Sequence, residues 1–275
     1  MSHSGKRTRW HIIRMIAFVI FIASLIYIGY TLYTGYKEQQ DYESLQEEIV
    51  TLEEVQNAEF TGERDGDAPE LPAEFANADR TSIDFEKLKS YNSELVAWVQ
   101  IPDTNIDYPV ARHEGDDQEY YLNYNMYQEP AFSGCIYMED CNQADFSDYN
   151  TVLYGHNMRN GSMFRDLHKF EDTDFFDNHS DIYIYIPGHR LTYTIFAAYS
   201  TDSVKLTAAY DFSQKEDYER YLSGIQGVRS MDAMMREEIS LTGDDRLLTL
   251  STCIGGQPDR RYVVQGVLTD DRTTE

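Results

Sequence analysis

Residues 15–33 read MIAFVIFIASLIYIGYTLY, an unbroken apolar run with no charged side chain. A helix of that length rises ~28 Å, close to the hydrocarbon thickness of a bilayer. The next stretch, from about residue 36 to 60, changes character. Tyr42, Leu45, Ile49, Leu52 and Val55 recur at steps of three and four among Glu and Gln, which is helical periodicity. It predicts an amphipathic stalk helix. Residues 61–80 (TGERDGDAPELPAEFANADR) carry Gly, Pro, Asp and Ala without period and read as a linker. Order is expected again from Thr81, where Ser82 or Asp84 can cap a helix with Phe85, Leu88 and Tyr91 on one face.

Beyond that helix the pattern becomes short and alternating. Strands are predicted at 95–100, 107–110, 134–138, 150–154, 182–186, 191–200, 246–252 and 262–269. Turn pairs such as Pro102-Asp103, Pro187-Gly188 and Gly255-Gly256 separate them. Helical interruptions are expected at 164–169 and, at greater length, from 213 to about 236. Many short strands with few helices predict a mainly β fold, a closed or nearly closed barrel with inserted helices.

Charge changes the picture of the ends. The first 37 residues hold five of the 23 basic residues and no acid, so all 48 acids lie beyond Lys37. Lys6, Arg7, Arg9 and Arg14 precede the apolar run and Glu38, Asp41 and Glu43 follow it. Basic flanks stay cytoplasmic, so the expected order is a cytoplasmic tail (1–14), a single membrane-spanning helix (15–33), an extracytoplasmic stalk and linker (34–80) and a globular body (81–275). A cleaved signal would have a shorter core and a small-residue cleavage site. Tyr, Thr and Lys follow this run instead. So acidic a body repels phosphate backbones, which excludes nucleic acid as a partner.

Candidate chemistry gathers late in the chain. The cysteines are Cys135, Cys141 and Cys253. An odd number leaves at least one thiol unpaired, and Cys135 with Cys141 are near enough in sequence for a disulfide that geometry can equally forbid. Cys253 ends the apolar segment RLLTLSTC and is followed at once by Ile254-Gly255-Gly256, an accessible place for a nucleophile, although an inert buried thiol fits the same position. His156 follows the strand-like VLYG, and Arg261 precedes YVVQGVL. A thiol, an imidazole and a guanidinium together supply what acyl transfer needs: a nucleophile, a proton carrier and an oxyanion partner. Alternation sends Arg260 to the face opposite Arg261. No C-x-x-C, H-E-x-x-H, G-x-S-x-G or P-loop spacing occurs, so no metal or cofactor is expected.

These segments resemble the sortases, and within them class B. The resemblance rests on TLSTC at 249–253, NTVLYGHNM at 150–158 and RYVV at 261–264. EYYLNYN at 119–125, GCIYMED at 134–140, DFSDYN at 145–150 and MFRDLHKF at 163–170 support it, and it extends over roughly residues 85–268. The resemblance implies an eight-stranded barrel with a long helix between its sixth and seventh strands. It implies a membrane-anchored cysteine transpeptidase of a Gram-positive surface in which Cys253, His156 and Arg261 are catalytic. The implied reaction cuts a C-terminal sorting signal of secreted proteins after Thr through a thioacyl enzyme, then passes the protein to an amine of a lipid-linked peptidoglycan precursor. Leu122, Gln118, Ser251 and Thr252 match substrate-groove positions. A pilin-polymerising enzyme and a non-catalytic membrane scaffold on the same barrel are the alternatives. Ile254-Gly255-Gly256 stands where some relatives carry acidic residues, and Gln118 where relatives can have Asn.

Overall fold

The computed structural model describes residues 4–52, 80–203, 205–226 and 233–274. The chain divides into two compact units, Met1–Glu47 and Glu48–Glu275. The first is helical. Helix α1 (Ser4–Ile49) runs without interruption through both the apolar stretch and the start of the expected stalk. Among the described residues it is the one helix long and apolar enough to cross a membrane.

The stalk expectation needs correcting at its far end. The helix stops at Ile49, and Val50–Leu52 is a strand paired antiparallel with Arg80–Ile83. The β-branched pair Val50-Thr51 favours that extended pairing over another helical turn. The rest of the stalk and nearly all of the linker, residues 53–79, lie outside the described residues. Ser82 belongs to the short strand, so Asp84 alone caps helix α2 (Phe85–Tyr91), accepting from the Lys87 N–H at 2.9 Å. Leu88 is its fully buried residue.

The body is a closed eight-stranded mixed barrel. Its strands are β1 (Leu95–Gln100), β2 (Asp107–Arg112), β3 (Ile136–Met138), β4 (Asn150–Tyr154), β5 (Asp181–Ile186), β6 (His189–Asp202), β7 (Leu247–Ile254) and β8 (Gln257–Thr273). The hydrogen-bonded order is β8-β7-β4-β3-β2-β1-β5-β6, and β6 pairs with β8 to close the ring. Closure removes most of the open sheet edge. Only β2–β3 and β4–β7 pair parallel. All eight strands stand where hydrophobic alternation predicts them, with ends shifted by a few residues. Trp98 is fully buried and its Nε1 donates to Asp107 Oδ1 at 2.6 Å, so the largest core side chain has its polar atom satisfied.

Helix α3 (Thr173–Asn178) follows a 3-10 segment at Phe164–Glu171, and α4 (Leu206–Ala209) sits in the connection leaving β6. Helix α5 (Lys215–Gln226) lies between the sixth and seventh strands, as expected of the class. It is shorter than the expected 213–236. Met234–Met235 form a two-residue strand on β6, and Arg236 is stitched to the same strand by its N–H to Phe196 O and its Nε to Ile195 O, both at 2.8 Å. These bonds to a sheet edge replace helical ones. Tyr218, Tyr221, Leu222 and Ile225 of α5 recur at helical spacing and pack on Phe196, Tyr199, Val263 and Val267. Burying each stabilises the packing by roughly 2 kcal/mol.

Candidate active site

The parallel pairing of β4 and β7 sets the site. Leu247 to Ser251 register with Asn150 to Tyr154, so the two strands run side by side and point the same way. The residues just beyond that pairing are therefore neighbours: Gly155 and His156 after β4, Thr252 and Cys253 in the last part of β7. Two bonds hold the ends together. The Gly155 N–H donates to Ser251 O at 3.2 Å, and the Thr252 hydroxyl donates to Gly155 O at 2.8 Å. Deeper down, Gln265 Nε2 donates to Thr249 Oγ1 at 2.9 Å, and Thr249 in turn donates to Asn150 Oδ1 at 3.0 Å. All three are fully buried, so a register slip in β4, β7 or β8 leaves polar groups unpaired in the core.

Arg261 reaches the same place across a hairpin. Cys253 and Arg261 are Cα partners in the β7–β8 pairing, which then slips in register between Cys253 and Ile254. The tight turn is made by Gly255-Gly256, with Gly256 at φ +77°. That left-handed backbone favours glycine, which has no Cβ to strain. Arg261 Nη1 donates to the carbonyls of Pro258 at 2.9 Å and Arg260 at 3.0 Å. The Nε and Nη2 hydrogens of its five-donor fork remain. Arg260 takes the other face, its Nη2 donating to Ser200 Oγ at 2.5 Å.

A cleft of about 210 Å³ joins these groups. Cys253, His156, Arg261, Leu122, Ser251 and Thr252 all line it. Gln118 does not. Its amide donates to Gly115 O at 2.8 Å and accepts from the Asp140 N–H at 2.7 Å, holding two loops together away from the cleft. Sequence reading missed Glu119, Tyr137, Tyr154, Lys205 and Leu206, which form further parts of the walls.

His156 Nε2 lies 2.8 Å from the carbonyl of Leu122, which can only accept. The proton therefore sits on Nε2, and Nδ1 is left to exchange protons. Leu122 closes a 3-10 turn, Tyr120–Leu122, that is itself braced: Tyr121 OH donates to Glu94 Oε2 at 2.6 Å and accepts from Asn92 Nδ2 at 2.7 Å. Burial pushes the Tyr121 phenol far up, and the bond to Glu94 adds to it, so it stays a donor. Phe132, largely exposed, stacks near-parallel on the His156 ring at 6.1 Å.

No disulfide joins the three cysteines. Cys135 is buried with its thiol 3.7 Å from Pro109 O, whereas Cys141 and Cys253 are exposed. Although Cys141 as a whole is exposed, partial desolvation of its thiol, helped by the charges of Glu139 and Asp140, pushes that thiol up to about 11. That thiol is protonated at neutral pH. Among the described residues no cluster of His, Cys, Asp and Glu could hold a metal ion.

A thiol, an imidazole with one free nitrogen and a guanidinium with free donors, converging on one cleft, provide the means of thiol-based acyl transfer. The model of the Sortase domain family matches residues 99–269, which span the barrel from β1 to β8. Sortase B of Listeria monocytogenes is 35% identical over 183 residues, 66% of this chain and 72% of its own length. The solved sortase B of Clostridium perfringens is 35% identical with a TM-score of 0.60, covering 68% of this chain and all of that one. A Staphylococcus aureus sortase B–substrate complex is 26% identical with a TM-score of 0.59, covering 68% and 84%. The chain belongs to the sortase family, on its class B side, and is a cysteine transpeptidase.

Proposed function

We propose that this chain anchors secreted proteins to the cell wall, with Cys253 as nucleophile. His156 Nδ1 takes the proton of the Cys253 thiol, Cys253 Sγ attacks the carbonyl carbon of the Thr in a C-terminal sorting signal, the C–N bond after that Thr breaks, and His156 passes the proton from Nδ1 to the leaving amine. An amine of a lipid-linked peptidoglycan precursor then attacks the thioester, loses its proton to His156, and the thiol is restored. Arg261 offers its free N–H donors to the oxyanion in both halves. Leu122, Ser251 and Thr252 line the groove that holds the signal. The observation that carries this reading is the single cleft shared by His156, Cys253 and Arg261, each brought there by a separate barrel strand or its end.

Helix α1 serves as the anchor, with residues 15–33 in the bilayer, the basic tail in the cytoplasm and the barrel outside. The basic residues before the span and acids after it support that orientation.

The test is intact mass of the full chain in detergent, incubated with peptides carrying a Thr–Gly or Thr–Asn bond. A thioacyl adduct is expected on the wild type, absent from Cys253→Ala and released by an added amine. Cleavage that persists at full rate in Cys253→Ala would sink the assignment. An added Lys-bearing acceptor protein tells wall anchoring from pilin polymerisation.

A further inference from the structure

Two side chains outside the reacting trio converge on the main chain of the nucleophile. Where the β7–β8 register slips, the Cys253 carbonyl lies 2.8 Å from Asn157 Nδ2 and 3.1 Å from His168 Nε2. Asn157 is the covalent neighbour of His156. His168 comes from the 3-10 segment that follows, and its side chain is only 12% exposed. Its ring stacks on buried Tyr262 at 5.0 Å and 26°, and its Nδ1 lies 2.6 Å from Glu171 Oε1.

The hydrogen-bond senses form one chain. With the imidazole proton on Nδ1, His168 donates to Glu171 and its Nε2 lone pair accepts from Asn157 Nδ2 at 3.0 Å. That amide nitrogen has a second hydrogen, which goes to the Cys253 carbonyl. Arg165 Nη1 donates to Asn157 Oδ1 at 3.3 Å, which fixes the amide the right way round. Every polar atom from Glu171 to Cys253 then has a partner of the right sense.

The other ties of the hairpin, Arg261 Nη1 to Pro258 O and the Ser203 N–H to Asp259 O, both at 2.9 Å, lie on the β8 side of the turn. A Cβ built on Gly255 or Gly256 meets nothing within 4 Å, and residues 255–259 are exposed. Pairing with β8 reaches Cys253, but pairing with β4, the strand that leads to His156, stops at Ser251, two residues short of the thiol.

We propose that Asn157 and His168 are positioning residues that tie the main chain of Cys253 to the loop carrying His156. They keep thiol and imidazole at a fixed separation through acylation. This rests on the reading of Cys253 as nucleophile. A misplacement of ~1 Å can lower a rate ~100-fold, so the one Asn157 bond to the Cys253 carbonyl, aimed by the His168 Nε2 acceptor, is enough to matter at an exposed hairpin end.

The test compares full-length wild type, His168→Ala, His168→Gln, Asn157→Ala and Cys253→Ala in detergent, using peptides carrying a Thr–Gly or Thr–Asn bond. Thioacylation kinetics, adduct mass and Tm are read for each. His168→Ala and Asn157→Ala should lower the acylation kcat ~10-fold or more with KM within ~2-fold. His168→Gln places an accepting oxygen near the position of Nε2 and should recover most of the loss, at an unchanged Tm. Unchanged kcat in both alanine variants overturns the positioning role. So does a loss that Gln fails to recover, or one that follows the folded fraction. A wild type that forms no Cys253-dependent adduct overturns the nucleophile assignment itself, and this inference with it.

Discussion

Cys253 and Arg261 are direct partners across the β7–β8 hairpin, and the guanidinium is bent back onto the carbonyls of Pro258 and Arg260. The charge is thus held beside the thiol before any substrate arrives, by bonds that use one nitrogen of the fork and leave two nitrogens free. Preorganised donors of this kind act on charge that appears only in the transition state.

Arg261→Lys tests that arrangement. An ammonium is a point charge with three donors and cannot grip two carbonyls while presenting a planar fork. Thioacylation should fall ~100-fold, the loss typical of one oxyanion donor removed. Tm should barely move, because the bonds lost are at an exposed turn. Single-turnover rates in which Lys stays within ~2-fold of wild type would remove Arg261 from the chemistry.

Gly155→Ala tests the packing under His156. A Cβ at Gly155 would meet Ile136 Cδ1 at 2.4 Å and the Phe164 ring at 2.8 Å, both fully buried. Neither can retreat without moving its neighbours, so the variant should be destabilised by about 1–3 kcal/mol, as overpacked cores are. His156 and the Gly155–Ser251 bond shift with it, so activity should fall further than the folded fraction does. Denaturant midpoints beside adduct rates measure the two effects separately. An alanine variant with full stability and full activity would show that the strand end has room to spare.

Much of this architecture could be read from the pattern of residues. β4 was legible to the residue because its strand-favouring Thr-Val-Leu-Tyr run is closed by Gly155. β8 was read only from Tyr262, since Gln257-Pro258-Asp259-Arg260 carry no alternation and their pairing comes from the hairpin itself. The helix expected over 213–236 overran because apolar spacing cannot register that Met234–Met235 pairs with β6. The thiol, imidazole and guanidinium were found by their chemical types at strand ends. Asn157 and His168 were not. Their meaning lies in a contact with a carbonyl 96 and 85 residues away, which neither periodicity nor local composition encodes.

Glu94 offers a pH test of the brace behind His156. Burial alone would raise its carboxyl, but bonds from His113 and Tyr121 and from the Glu114 N–H outweigh burial and hold it below the ordinary value. A lowered folded pKa gives stability that is complete above the unfolded value, about 4.3, and is lost as pH falls through the folded one. Melting curves from pH 7 to 3 should show this as part of the acid limb. Glu94→Gln should start from a lower Tm at pH 7 and lose less on acidification. A variant whose acid limb runs parallel to wild type would mean Glu94 contributes nothing to it.

Lys205→Met tests the far wall of the cleft. The Lys205 ammonium bridges Glu139 and Glu119, and the Thr207 hydroxyl also donates to Glu139, itself accepting from Tyr154 OH at 3.2 Å. Burial works against the charge on Lys205, but the bonds to Glu139 and Glu119 outweigh it and raise its pKa, so the bridge persists at neutral pH. Glu139 is buried at 5% exposure, and without its cation it becomes an uncompensated carboxylate. The methionine variant should melt lower, and Glu139→Gln added to it should recover most of that loss. Leu206 and Lys205 line the groove, so the freed wall should raise the peptide KM severalfold while kcat, set at Cys253 and His156, changes little. If kcat falls and KM stays constant, the bridge supports the reacting groups themselves and the groove wall plays no part in binding.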